Sequence, residues 1–149
     1  MTEKHKARLA SFVILERDGK ILLARRFNTG YADGQYQMPS GHIEANEYPA
    51  EAAVREAKEE VGVDIKIEDL EFVHSSYRIN QADAAGDYVD FFFKVTQWSG
   101  EPFNAEPEKC DELFWVPIDN LPDNTVPVIR EVIGFIIEGV PFSQVGRMH

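Results

Sequence analysis

Glu56, Glu59 and Glu60 stand one helical turn apart in the run Arg55-Glu56-Ala57-Lys58-Glu59-Glu60. On a helix turning 100° per residue, with Ala50 at zero, they point to roughly 180° (Glu59), 240° (Glu56) and 280° (Glu60). Three carboxylates on one such arc repel one another by a few tenths of a kcal/mol per pair. They also lie in the last turns, where the helix dipole disfavours negative charge. A hard divalent cation removes both penalties. Mg²⁺ takes oxygen ligands and keeps several waters, which leaves positions for phosphate oxygens. It would neutralise phosphate charge and lower the pKa of an attacking water. A bare Glu-x-x-Glu-Glu is more often a solvated acidic face, so the surroundings must decide.

The element that carries these groups is the clearest helix in the chain, residues 49–61. Pro49 suits a first turn, and Gly62 suits the position just past the end. Ala50, Ala53, Val54, Ala57 and Val61 form one apolar stripe, predicted to face a sheet at close range. Upstream, Leu9 to Leu15 and Ile21 to Ala24 flank Asp18-Gly19 and read as a β-hairpin. Residues 27–41, with Asn28, Gly30, Asp33, Gly34 and Pro39, read as a long loop with a short strand at Tyr36 to Met38. Loops of this length in compact domains are commonly functional. Downstream, residues 65–73, 88–95 and 113–116 read as strands, and 125–137 as a closing amphipathic helix with Pro127 in its first turn. Strands interrupted by two helices predict an α/β fold with a mixed sheet between helices.

The helix lies inside a longer pattern. Gly41, five residues, Glu47, seven residues, then Arg55-Glu56-Ala57-Lys58-Glu59-Glu60-Val61-Gly62-Val63 matches Gx5Ex7REUxEExGU, with U aliphatic, at every fixed position. Ala57 is the one soft departure, being small where Ile, Leu or Val is usual. Residues 41–63 therefore resemble the signature box of the Nudix hydrolases. The resemblance implies an α/β/α sandwich over residues 1–149 as one domain. It also implies hydrolysis of a nucleoside diphosphate linked to another moiety, with Mg²⁺ or Mn²⁺. Glu56, Glu59 and Glu60 would be metal ligands, joined by the Gly41 carbonyl, and Glu56 or Glu59 would serve as the base toward water. Arg55 and Glu47 would pair to hold the loop against the helix. Gly62 would supply the left-handed turn that ends it.

Family members often recruit a further carboxylate after the box. Glu112, at the mouth of the strand Leu113-Phe114-Trp115, is the first expectation, with Glu108 and Asp111 behind it. Arg25, Arg26 and Arg78 are the basic residues expected to reach phosphates. Tyr36, with Phe27, Tyr31, Tyr77 and Trp115, is a candidate for stacking on a base. His42, at a variable position of the box, reads as structural.

The chain has 149 residues and 15 Lys and Arg against 26 Asp and Glu, a formal net charge of −11. Residues 41–63 and 101–112 each carry −4 of it. Such acidity argues against nucleic-acid and anionic-membrane partners, which need surplus Lys and Arg. The single cysteine, Cys110, fits a reducing cytoplasm. The charged N-terminus runs into a strand rather than a signal-peptide core, and the apolar stretch Val132 to Ile137 is far shorter than a membrane span.

A (d)NTP, including an oxidised one such as 8-oxo-dGTP, is the expected substrate, converted to NMP and pyrophosphate. ADP-ribose and nucleotide sugars rank behind it. The proline associated with ADP-ribose specificity would fall near Arg78 and Ile79 and is missing there. A nucleotide-sensing Nudix module without catalysis would be expected to have an eroded box. Isomerase chemistry on the same fold would need a catalytic Cys, and Cys110 lies outside the box. A small-molecule nucleotide is the expected partner, with a homodimer as the expected assembly.

Overall fold

The structure is a computed structural model describing residues 3–81 and 86–147. Met1 and Thr2 of the charged N-terminus lie outside the described residues. In chain order come β1 (Ala7–Arg17), β2 (Lys20–Arg26), β3 (Tyr36–Gln37), β4 (Ser40–His42), α1 (Pro49–Val61), β5 (Glu71–Arg78), β6 (Asp87–Val95), β7 (Cys110–Pro117), α2 (Pro127–Ile137) and β8 (Phe142–Val145). The sheet runs β3-β2-β1-β6-β5-β8, with β4 on β1 and β7 on β2. β1 pairs with β6 in parallel and with β2 and β4 antiparallel, so the sheet is mixed.

Ala10 to Leu15 of β1 are all buried, because both faces of the sheet are covered. Phe12, Ile14, Ile21, Leu23, Phe92 and Val116 face Ile129, Val132 and Ile133 of α2. Val13, Leu15, Leu22, Phe93 and Val95 face Ala53, Ala57 and Val61 of α1. The fold is thus an α/β/α sandwich. The hairpin turn carries positive φ at Asp18 (54°) and Gly19 (75°), the pair that a two-residue turn of this hand requires.

The strand expected over residues 65–73 is displaced. Ile67–Asp69 form a 3-10 turn closed by Leu70 N–H to the Ile67 carbonyl at 3.1 Å, and pairing starts only at Glu71. The polar end His74-Ser75-Ser76 belongs to β5 because its groups find partners inside. His74 Nδ1 donates to the Val140 carbonyl at 2.7 Å, so Nε2 accepts from the Ser143 hydroxyl at 2.8 Å. β4 and β8 are short strands that periodicity did not announce.

The geometry that matters most is on β1. Its end, Glu16 and Arg17, pairs with β2, whereas its middle, Ala10 to Phe12, pairs with β4 on the same edge. β2 therefore splays away from β1, and the backbone between β3 and β4 crosses the gap, with Val13 N–H donating to the Pro39 carbonyl at 2.9 Å. The splay opens a cleft of about 660 Å³.

Candidate active site

α1 begins at Pro49, and Glu51 Oε1 accepts from Tyr48 N–H at 2.8 Å, which satisfies an end donor. It stops at Gly62, whose φ of 74° and N–H to the Lys58 carbonyl form a left-handed cap. Its buried residues are Ala52, Ala53, Glu56, Ala57 and Val61, whereas Ala50 and Val54 are only half-buried. On the wheel used above, that arc centres near 290° instead of zero, a rotation of about 70°. The helix therefore turns two of its glutamates toward the sheet.

Glu56 is 9% exposed and lies against Gly41, where a Cβ would overlap its carboxylate. Gly41 is thus required by close approach and not by backbone angle. Glu60 Oε2 accepts the Ser40 N–H at 3.0 Å. Burial pushes Glu60 well above the usual carboxylate range, Glu56 adds to this, and the Ser40 N–H opposes it. Burial likewise raises Glu56 despite its bond to Arg55. Glu59 stays half-exposed at the rim, at 52%.

Arg55 ties the box together. Nε and Nη2 donate to the two oxygens of Glu47 at 2.8 and 3.0 Å, Nη2 donates to the His42 carbonyl at 3.0 Å, and Nη1 donates to Glu56 Oε1 at 2.7 Å. Nη1 also lies 3.4 Å from Glu59 Oε2. Glu47 accepts from Glu44 N–H at 2.9 Å as well, and Arg55 holds it below the usual carboxylate range.

The second acidic segment reaches the box through a residue that sequence reasoning did not select. The backbone after α1 is pinned by Phe103 N–H to the Val61 carbonyl at 3.0 Å and Ala105 N–H to the Glu60 carbonyl at 3.1 Å. These bonds cap the helix and bring Glu106 into the cleft with Glu56, Glu59 and Glu60. Its charge contributes to the raised values of both Glu56 and Glu60. No local pattern separates Glu106 from its acidic neighbours. Glu112, the sequence expectation, is not among the residues lining the cleft: it pairs with Arg25 at 3.3 Å and accepts from the Tyr36 hydroxyl at 3.1 Å. Asp111 is held by Arg25 Nε at 2.7 Å, and Glu108 is exposed.

The expected substrate contacts divide. Arg25, Arg26 and Arg78 line the cleft, but each is already engaged. Arg25 holds Asp111 and Glu112. Arg26 donates to the Tyr31 carbonyl at 2.6 Å and Thr29 Oγ1 at 3.0 Å, fixing the loop after β2. Arg78 donates to both oxygens of the buried Asp90, at 2.9 and 3.3 Å, beneath the Tyr88 ring. Tyr36 is 6% exposed, belongs to the core beneath α2 and packs against the exposed Phe114 ring, and it is not among the residues lining the cleft. Phe12, Met38, Val128 and Ile129 supply the apolar wall. Cys110 is half-buried, and burial pushes its thiol up, which disfavours a nucleophilic role.

Among the described residues no three side chains converge as a ready-made cage for an ion. Arg55 Nη1 lies between Glu56 and Glu59 instead. The donor set nevertheless suits a hydrated hard cation, since it consists of oxygens only and crowds like charges at a partly desolvated place.

A family model described as NUDIX domain matches residues 5–134. An ADP-ribose pyrophosphatase of Methanocaldococcus jannaschii is 36% identical over 109 residues, 73% of this chain, which spans 61% of that protein's length. An 8-oxo-dGTP diphosphatase of Escherichia coli K12 is 29% identical over 133 residues, covering 85% of this chain and 96% of the relative. A MutT NUDIX hydrolase from Burkholderia pseudomallei superimposes with a TM-score of 0.79 at 25% identity, over 87% of this chain and 98% of that one. With the complete box folded as a loop and helix at the mouth of the cleft, the chain belongs to the NUDIX domain family.

Proposed function

We propose that the protein is a Mg²⁺- or Mn²⁺-dependent pyrophosphohydrolase that cleaves a (d)NTP, including an oxidised one such as 8-oxo-dGTP, to NMP and pyrophosphate. The observation that carries this reading is the gathering of Glu56, Glu59, Glu60 and Glu106 in one cleft that Phe12, Met38, Val128 and Ile129 also line. A divalent cation held by these carboxylates and the Gly41 carbonyl would neutralise the phosphates and lower the pKa of the attacking water. Phe12, Met38, Val128 and Ile129 offer the nucleobase an apolar surface, and about 660 Å³ is room for a nucleotide. Glu56 or Glu59 takes the proton as a water oxygen bonds to phosphorus and the bridging P–O bond breaks, with pyrophosphate leaving. Arg55 would keep its two-point hold on Glu47 and so fix the loop against the helix, and Glu56 and Glu59, which its Nη1 contacts here, would be among the groups holding the ion. Glu106, rather than Glu112, is the fourth carboxylate of the site.

A second reading, ADP-ribose hydrolysis, is favoured by the 36% identical relative that carries that name. A sensing module without catalysis is disfavoured by the intact box. A small-molecule partner in a reducing, cytoplasmic setting suits the acidic surface and the single cysteine.

The test is pyrophosphate or phosphate release over a panel of nucleotides, nucleotide sugars and ADP-ribose with Mg²⁺, comparing wild type with Glu59→Gln and Glu106→Gln. Loss of a general base or metal ligand lowers kcat by about 10²- to 10⁴-fold. No turnover of any nucleoside diphosphate derivative would overturn the hydrolase reading, and full activity in both variants would overturn the site.

A further inference from the structure

Five basic side chains line the cleft besides Arg55's carboxylate cluster: Arg8, Arg25, Arg26, Arg78 and Lys109. Four of them are committed to the protein. Arg25, Arg26 and Arg78 have the partners given above, and Lys109 lies 3.9 Å from Glu106. Arg8 differs. It is exposed, lines the cleft, and its side chain has no ion pair or hydrogen bond among the described residues. Its five N–H donors are therefore uncommitted.

Its placement is set by strand register. Arg8 shares a face of β1 with Ala10 and Phe12, which floor the cleft, since alternate residues point the same way. Across the sheet it is paired with Tyr88 of β6. The Tyr88 ring is covered by Arg78 at 4.2 Å and stacked on His42 at 5.8 Å. This stack builds a wall beside Arg8. Gly41, against which Glu56 packs, pairs with Ser11 of β1. Arg8 is three residues further along that strand, so its Cα lies roughly 10 Å from the carboxylate end, with its own long side chain to close the gap.

Resting on the hydrolase reading above, we infer that Arg8 is a specificity-determining residue that binds the terminal phosphate of a nucleoside triphosphate. The carboxylates, with the cation they would hold, would take the phosphates at the scissile bond, and the Arg8 guanidinium, uncommitted among the described residues, takes the anionic group at the far end of the chain. A forked pair of donors matches two oxygens of a terminal phosphate. A diphosphate capped by a neutral sugar offers no such anion at that end. Arg8 would thus favour triphosphates over ADP-ribose and nucleotide sugars.

The test separates this inference from catalysis by reading binding. Wild type, Arg8→Ala and Arg8→Lys are titrated calorimetrically, with Mg²⁺, against two non-hydrolysable α,β-methylene analogues, one a nucleoside triphosphate and the other ADP-ribose. Loss of a charge-assisted contact corresponds to about 10- to 100-fold. The expected result is a loss of that size for the triphosphate in Arg8→Ala, a change below about 3-fold for the capped analogue, and partial recovery in Arg8→Lys. Equal weakening of both analogues, or no weakening of either, overturns the inference even if the enzyme hydrolyses triphosphates. Conversely, absence of turnover in the panel above overturns the hydrolase reading while this binding difference still stands or falls by itself.

Discussion

Replacing Arg55 with lysine keeps the charge and removes the fork. Arg55 donates four hydrogen bonds of 3.0 Å or shorter, to both oxygens of Glu47, the His42 carbonyl and Glu56. A lysine ammonium at that position reaches one carboxylate, which leaves the other without its partner. The side chains of Arg55, Glu47 and Glu56 are 23%, 14% and 12% exposed, so water replaces only part of the loss. Breaking one partner of a buried pair costs about 3–5 kcal/mol. With partial solvent access we expect about 2–4 kcal/mol for Arg55→Lys, or roughly 5–15 °C in Tm for a chain of this size. Urea unfolding followed by tryptophan fluorescence reads it, because Trp98 and Trp115 are stacked 6.2 Å apart and separate on unfolding. The difference between wild type and variant also depends on pH. Arg55 depresses Glu47, so the contribution of the pair is complete above the unfolded value near 4.5 and fades as pH falls through the lower folded value. A loss below about 1 kcal/mol at neutral pH, with unchanged denaturant slope, would refute the assignment of Arg55 as the clamp of the loop.

Gly41→Ala tests close approach without backbone strain, since the added Cβ meets the Glu56 carboxylate and the displaced group is a reacting one. We expect about 100-fold lower kcat, as for a misplacement of about 1 Å, with the thermal transition lowered by only a few degrees; unchanged kcat would contradict the packing. In the loop after β2, Asp33 accepts from the Thr29 hydroxyl at 2.6 Å and from the Thr29 and Gly30 N–H groups, and these bonds, the hydroxyl first, hold it below its ordinary 3.8. The tie is in place above the unfolded value and is lost as pH falls through the folded one. The amide shifts of Thr29 and Gly30 are therefore expected to titrate below that ordinary value, and titration above it, or none, would be the contrary result.

Much of this molecule is written locally. The Asp18-Gly19 turn, the Pro49 start and Gly62 stop of α1, and the spacing from Gly41 to Val63 each depend on neighbours close in the chain. The hairpin, the helix and the family resemblance could therefore be read from residue types and intervals. What misled the sequence reading was contact between distant segments. The polar β5 residues His74 and Ser76 pair inside the sheet because Val140, Ser143 and Asp90 receive them, which no periodicity records. The buried arc of α1 turned toward Glu56 because Gly41, on β4, leaves room for a carboxylate. Glu112 lies within β7 and Glu106 just before it. Arg25 and Tyr36 claim the first, while backbone bonds from Phe103 and Ala105 to the end of α1 deliver the second to the cleft. Residue type and spacing thus carried the family resemblance, because the box from Gly41 to Val63 is a local pattern. Which carboxylate joins the cluster, and which arginine of the cleft has no side-chain partner among the described residues, was decided by tertiary pairing, because segments distant in the chain claim Arg25, Arg78 and Glu112 and spare Arg8.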